Sequence, residues 1–190
     1  MDRQRQRLFI GVPLPLGCLE HVRRAREAVA GLPGVRLLGD AQLHVTLAFL
    51  GEVESDQAQA ARAVVEAVPE TLGGEAQLGR FLLLPSSSRA RVVTLEIADR
   101  EGVFQQLFEQ VMGGLEAAEV MKREKRPFRP HLTIARLRTP CAVRPRFESE
   151  PGPFAVQSVC LYESRLRREG AEYAVLARKE LIAVRAARGT

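Results

Sequence analysis

Two short stretches of this chain nearly repeat one another: residues 43–50 and 130–137 both carry His, apolar, Thr, apolar, Ala in that order. Only three histidines and six threonines occur in 190 residues, yet two of those histidines, His44 and His131, have a threonine two places on, at Thr46 and Thr133. A spacing of two is the period of a β-strand, where side chains at i and i+2 share a face about 7 Å apart. Strict alternation puts Leu43, Val45, Leu47 and Phe49 on one face of the first strand and His44, Thr46 and Ala48 on the other. In the second strand Leu132 and Ile134 oppose His131, Thr133 and Ala135. Each strand therefore backs an apolar face with one imidazole and one hydroxyl. A fold that brings the two strands together sets two of each around one cleft.

The rest of the chain supplies the frame. Residues 8–12 read as a strand, stopped by Pro13 and Pro15. Over residues 16–30, Cys18, Val22, Ala25 and Val29 recur at helical spacing, and the glycines at 31 and 34 end that helix. A second helix is predicted over residues 56–68, with Ser55 as N-cap and Ala58, Ala61, Val65 and Val68 as its buried stripe. Strands at 76–84 and 91–97 flank a Pro-Ser loop. Asp99 is expected to cap a third helix to residue 115, with Phe104, Phe108, Val111 and Leu115 inward and a last turn weakened by Gly113 and Gly114. The basic, proline-broken run 122–130 then leads into the second His-Thr strand, and it reads either as a solvated loop or as part of the site. Strands at 154–161 and 173–181 follow around a turn at 164–170, and the tail from Arg185 is expected to fray.

The two motifs thus sit at comparable places in two halves. The expected fold is α+β and duplicated: two lobes, each a small antiparallel sheet with helix on the outside, related by a pseudo-two-fold axis with the cleft between them. No stretch rich in Gly, Pro or Ser separates the halves, so residues 1–190 are expected to form a single bilobal domain.

Composition narrows the function classes. A hydrophobic content of 46% and a charged content of 27% are ordinary for a soluble globular chain of this length. No apolar run approaches the ~18 residues that span a bilayer, and the basic start does not lead into a signal peptide. A cytoplasmic, membrane-free monomer is the expectation. Cys18, Cys141 and Cys160 are odd in number and scattered, which suggests neither a disulfide framework nor a zinc knuckle. The net charge of +5 admits a polyanionic partner. Among the 28 basic residues only Lys122, Lys125 and Lys179 are lysines, and arginine is the better bidentate partner for phosphate, although a genome that favours Arg codons accounts for the same bias.

Two imidazoles facing one cleft allow one to act as general base and the other as general acid, with the hydroxyls donating to phosphate oxygens. A metal site is the competing reading for histidine, but no HxH, HExxH or His-Asp cluster occurs, and His21 stands alone in its helix as a surface or boundary residue. No nucleophile elbow or triad is recognisable.

The paired His-x-Thr motif resembles that of the 2H phosphoesterase superfamily. Its surroundings are similar to the bacterial and archaeal RNA 2',3'-cyclic phosphodiesterase branch, also called LigT or 2'-5' RNA ligase. The resemblance runs over nearly the whole chain: Arg7-Leu8-Phe9-Ile10, residues 43–53, and Ser164, Leu166, Gly170, Tyr173 and Leu176. Its most specific part is Arg126-Pro127-Phe128-Arg129-Pro130-His131-Leu132-Thr133-Ile134-Ala135-Arg136. It implies hydrolysis of a 2',3'-cyclic phosphate on RNA or a nucleotide to a 2'-phosphate, without metal or cofactor. His131 would activate water, His44 would protonate the departing 3'-oxygen, and Thr46, Thr133 and Arg136 would hold the phosphate. Strict alternation points Arg136 away from His131, so a bulge or strand end must turn it. Phe9, Phe49 and Tyr173 are candidates to stack on a base, with core packing as the competing reading, and Arg129 is a further candidate for substrate contact. The family often has an aromatic residue where this chain reads Val92-Val93-Thr94-Leu95-Glu96, which implies a weaker base contact there. Joining of RNA ends through a 2'-5' bond would use the same residues, and an RNA- or nucleotide-binding module with little turnover is the alternative from another class.

Overall fold

The computed structural model of the chain describes residues 5–123, 125–145, 152–167 and 170–182. The strands are β1 (Gln6–Pro13), β2 (Val35–Leu37), β3 (His44–Val53), β4 (Gly74–Leu84), β5 (Ala90–Ala98), β6 (His131–Cys141), β7 (Pro153–Val156), β8 (Ser158–Arg167) and β9 (Gly170–Glu180). The helices are α1 (Leu19–Glu27), α2 (Ser55–Glu66) and α3 (Val103–Ala117). Short 3-10 turns at Leu16–Cys18, Asp40–Gln42 and Glu70–Leu72 join them.

All strand pairs are antiparallel, in the order β7-β4-β5-β6-β3-β1-β8-β9, with β2 set against β6. The two four-stranded halves meet at β6 and β3, the two His-Thr strands, where Val45 pairs with Leu132. On either side of that seam the chain runs strand, helix, His-Thr strand: β1-α1-β3 in one half and β5-α3-β6 in the other. This is the duplicated α+β architecture expected from the sequence, with the two sheets fused edge to edge along the motif strands.

Helices cover one face. Helix α1 rests on β6, α3 on β3 and β4, and α2 on β8, β9 and α3, so α1 and α3 each reach across to the other half's motif strand. Phe104, Leu107 and Leu115 of α3 are fully buried, as are Leu95, Leu132 and Ile134 in the same apolar cluster. Burial of each such side chain contributes about 1.5–3 kcal/mol, and this shared apolar layer holds the motif strands in place. Among the described residues no helix is long and apolar enough to cross a membrane.

Several local expectations need correction. Ser55 is the first residue of α2, and Glu54 is its N-cap, with the Gln57 side chain accepting the Glu54 N–H at 3.3 Å. Helix α3 starts at Val103 behind Gly102, whose φ of 70° suits glycine, and Asp99, three residues before that N-cap, still caps the first turn by accepting the Gln105 N–H at 3.0 Å. Gly114 does not end that helix: a Cβ there would come within 2.9 Å of Val64, so the glycine lets α2 and α3 approach closely. Residues 164–167, expected in a turn, continue β8 to Arg167. Strand β2 has no counterpart in the sequence reading, because three residues carry no readable alternation. The tail from Arg185 lies outside the described residues.

Candidate active site

The seam places the motif residues. With Val45 opposite Leu132, extending the antiparallel register by one residue each way sets His44 beside Thr133 and Thr46 beside His131. Opposed side chains in such a pair lie about 5 Å apart and diagonal ones about 7–8 Å. The local two-fold passes through the Val45–Leu132 pair and exchanges the two His-Thr pairs.

Each imidazole is fixed in the same way. His44 Nδ1 lies 2.8 Å from the carbonyl of Gln42, and His131 Nδ1 lies 2.7 Å from the carbonyl of Arg129. In both cases the partner is the carbonyl two residues back. A carbonyl only accepts, so Nδ1 carries a proton and donates, leaving Nε2 of each ring as the proton-transfer atom.

The surroundings of the two rings differ. His44 sits among aromatic rings, 4.5 Å from Phe9 and edge-on to Tyr173 at 5.2 Å, with Tyr162 stacked behind Phe9 at 4.8 Å. Burial there pushes its pKa down to about 4; the Gln42 carbonyl opposes that shift, and the charges of Arg136 and His131 add to it. His44 is therefore neutral in the free protein at pH 7. Gly11 makes this placement possible, since a Cβ on it would lie 2.8 Å from the Val45 carbonyl and 3.3 Å from the His44 ring.

Both motif strands bulge at the same point. Ile10 pairs with Ala48 but Gly11 with Thr46, so Leu47 is an extra residue in β3. Likewise Val93 pairs with Ala135 but Thr94 with Thr133, so Ile134 is extra in β6. A bulge reverses the facing of everything after it. Ala48 and Ala135, expected beside the threonines, are buried, while Phe49 and Arg136 turn into the cleft. The turn that Arg136 required is thus present. Phe49 is corrected from the apolar face to a side chain 50% exposed. Phe9 is buried at 3% and packs as core behind His44.

Two cavities open on either side of Thr46 and Phe49. One, of about 370 Å³, holds His44, Thr46, Thr133 and Arg136 with Arg7, Arg36 and Arg167, and among the described residues no carboxylate lines it. The other, of about 400 Å³, holds His131 among Leu82, Leu84, Met112, Met121 and the Phe108–Phe128 stack, whose rings lie 4.3 Å apart. The cleft is cationic on one flank and apolar on the other. From the basic run, Arg126 and Arg129 line the apolar flank, whereas Arg123 is tied to Glu109 and Glu116 of α3. The Arg129 guanidinium is held 3.2 Å from Glu96, which also binds Arg80. Arg36 and Gln42 also line the cationic flank, and the sequence reading missed both. Arg7 lies within a stretch that carries the family resemblance but has no role there, and Arg36 gives no signal because its strand is not readable. Among the described residues no group of three His, Cys, Asp or Glu is placed to hold a metal ion.

Known proteins share this fold. A protein of Thermus thermophilus superposes with a TM-score of 0.81 at 27% identity over 94% of this chain and 99% of that one. Escherichia coli LigT, solved in complex with 3'-AMP, superposes with a TM-score of 0.77 at 27% identity, again over 94% and 99%. The RNA 2',3'-cyclic phosphodiesterase of Aeropyrum pernix is 31% identical over 164 residues, 80% of this chain and 90% of its own length. The family model described as the 2'-5' RNA ligase superfamily matches residues 15–168, and the chain belongs to that family.

Proposed function

We propose that this chain hydrolyses the 2',3'-cyclic phosphate at the end of an RNA or nucleotide, leaving a 2'-phosphate. The observation that carries the reading is the matched pair of imidazoles, each tied through Nδ1 to its own strand, across a cleft that also offers two hydroxyls and Arg136. The names of the relatives support the substrate class, since three of them are RNA 2',3'-cyclic phosphodiesterases.

In this reading water attacks phosphorus and gives its proton to His131 Nε2. The P–O3' bond breaks, and His44 Nε2 gives a proton to the departing 3'-oxygen. Thr46, Thr133 and Arg136 donate to the non-bridging oxygens, where charge-assisted bonds of this kind contribute about 1.5–3 kcal/mol each. His44 must first gain a proton, and the anionic phosphate beside it supplies the attraction that its free environment lacks. A 5'-hydroxyl in place of water would join two RNA ends through a 2'-5' bond with the same groups.

Phosphorus NMR on EDTA-treated protein with a short RNA ending in a 2',3'-cyclic phosphate tests this. A 2'-monophosphate signal, absent with His131→Ala and with His44→Ala, is the expected result. An unchanged cyclic phosphate, or turnover that EDTA abolishes, would overturn the reading. A 3'-phosphate product would overturn the choice of leaving oxygen.

A further inference from the structure

The cationic flank carries more positive charge than one cyclic phosphate can use. A cyclic phosphodiester bears a single negative charge, and Arg136 with two hydroxyls already meets it. Yet among the described residues no carboxylate lies in ion-pair range of Arg7, Arg36 or Arg136, whereas Arg167 is paired with Glu172.

Arg36 is the informative one. Strand β2 pairs with β6 so that Arg36 stands directly opposite Arg136, and both line the same cavity. Like charges directly opposed on one sheet face destabilise it, so this pair is tolerable where anions occupy the space before it. The pairing lies four residues along β6 from the Leu132 seam, one of them the bulged Ile134, so roughly 10 Å at the strand rise. Arg36 and Arg136 therefore stand at one level along β6, both beyond the motif residues, at the outer end of the cavity.

The outer end is also shaped for a guanidinium. Gly170, with φ of 142°, has the Arg36 guanidinium against its backbone in the place a Cβ would fill. Gln42 Nε2 lies 3.6 Å from that same place and is held by its bond to the Ala171 carbonyl at 2.6 Å. Two nitrogen-bearing groups are thus seated side by side at the rim of a cavity that no acid among the described residues lines.

We propose that Arg36, with Gln42 beside it, forms a second anion subsite for the phosphate on the 5'-oxygen of the terminal nucleoside. The inference rests on the hydrolysis reading above and specifies its substrate: a cyclic end that carries a phosphate one ribose upstream, as an RNA end does and a mononucleoside 2',3'-cyclic phosphate does not. The scissile phosphate lies between the histidines with Arg136, and the upstream phosphate lies against Arg36.

The test compares kcat/KM for uridine 2',3'-cyclic phosphate with that for its 5'-phosphorylated form, in the wild type and in Arg36→Ala. A charge-assisted contact predicts a gain of about tenfold to a hundredfold from the added phosphate, falling to within about twofold in the variant. Arg36 is an exposed residue of a three-residue strand, so its loss is expected to leave the fold intact. A wild-type gain below about twofold, or a variant equally impaired on both substrates, overturns the subsite. The second of these would mean that Arg36 serves the cyclic phosphate itself. Hydrolysis of neither substrate would refute the proposed reaction. The affinities of uridine 2'-phosphate and uridine 2',5'-bisphosphate then make the same comparison, and equal affinities overturn the subsite.

Discussion

Binding of an anion at the cleft should change the charge state of His44. In the free protein its aromatic surroundings hold the pKa near 4, so at pH 7 about one molecule in a thousand carries the proton that the proposed acid needs. A single negative charge placed about 4 Å from the ring, at an effective dielectric of about 20, attracts the imidazolium by about 4 kcal/mol. At 1.36 kcal/mol per pH unit this lifts the titration by about three units, to near neutrality. Binding at pH 5 to 6 must therefore take up close to one proton from solution. The assay is NMR titration of the His44 Cε1–H signal, assigned by its loss in His44→Gln, with and without saturating uridine 2'-phosphate. Calorimetry in buffers of differing ionisation enthalpy measures the proton uptake separately. A free-protein titration near 6.5 would refute the effect assigned to the aromatic surroundings. A depressed pKa that the nucleotide does not move would refute His44 as the acid.

The same ring affects stability. Because the folded pKa lies below the ordinary 6.5, the unfolded chain binds the proton first as pH falls. Stability is full above pH 6.5 and declines by about 3 kcal/mol as pH drops through 4, a component that urea unfolding should find missing in His44→Gln. Thr46→Val and Thr133→Val should each lower kcat/KM by about tenfold to a hundredfold while leaving the urea midpoint unchanged, since both hydroxyls point into the cleft. Thr94→Val should do the reverse. Thr94 is fully buried and donates to the Leu82 carbonyl at 2.7 Å, so its loss should cost about 1–3 kcal/mol by urea unfolding. Phe49→Ala should weaken nucleotide binding by about 1–3 kcal/mol with little change in stability, whereas Phe9→Ala should destabilise by about 3–5 kcal/mol, as calorimetry of binding and of unfolding would separate.

The motif strands were legible because their signal is local: the period of two, the histidines and the threonines all lie within five residues. The duplication was legible for the same reason, since it repeats that signal. The bulges were half legible. Arg136 on the wrong face demanded one, but nothing marked Leu47 or Ile134 as the extra residue, and an apolar residue that steps out of the ladder looks like any other apolar residue. Phe49 was misplaced as a result. Ser55 and Asp99 are good capping residues one or a few positions from the true helix starts, where Glu54 and the left-handed Gly102 took over. Arg36 was invisible because its position is set by pairing with β6, a hundred residues away. Contacts that the chain makes with distant parts of itself leave no spacing to read.

A frame with an internal two-fold has no built-in sense of direction. Rotate it by half a turn about the Val45–Leu132 pair and each histidine lands on the other, each threonine likewise, so the four groups alone would accept a ribose phosphate either way round. The matched bulges expose one further residue per strand, and there the copies part company: β3 offers the ring of Phe49 and β6 the cation of Arg136. That divergence adds to the polarity that the cationic and apolar flanks already give the cleft. In the proposed reaction it would help the two imidazoles take up unlike tasks and set which end of the sugar faces which wall.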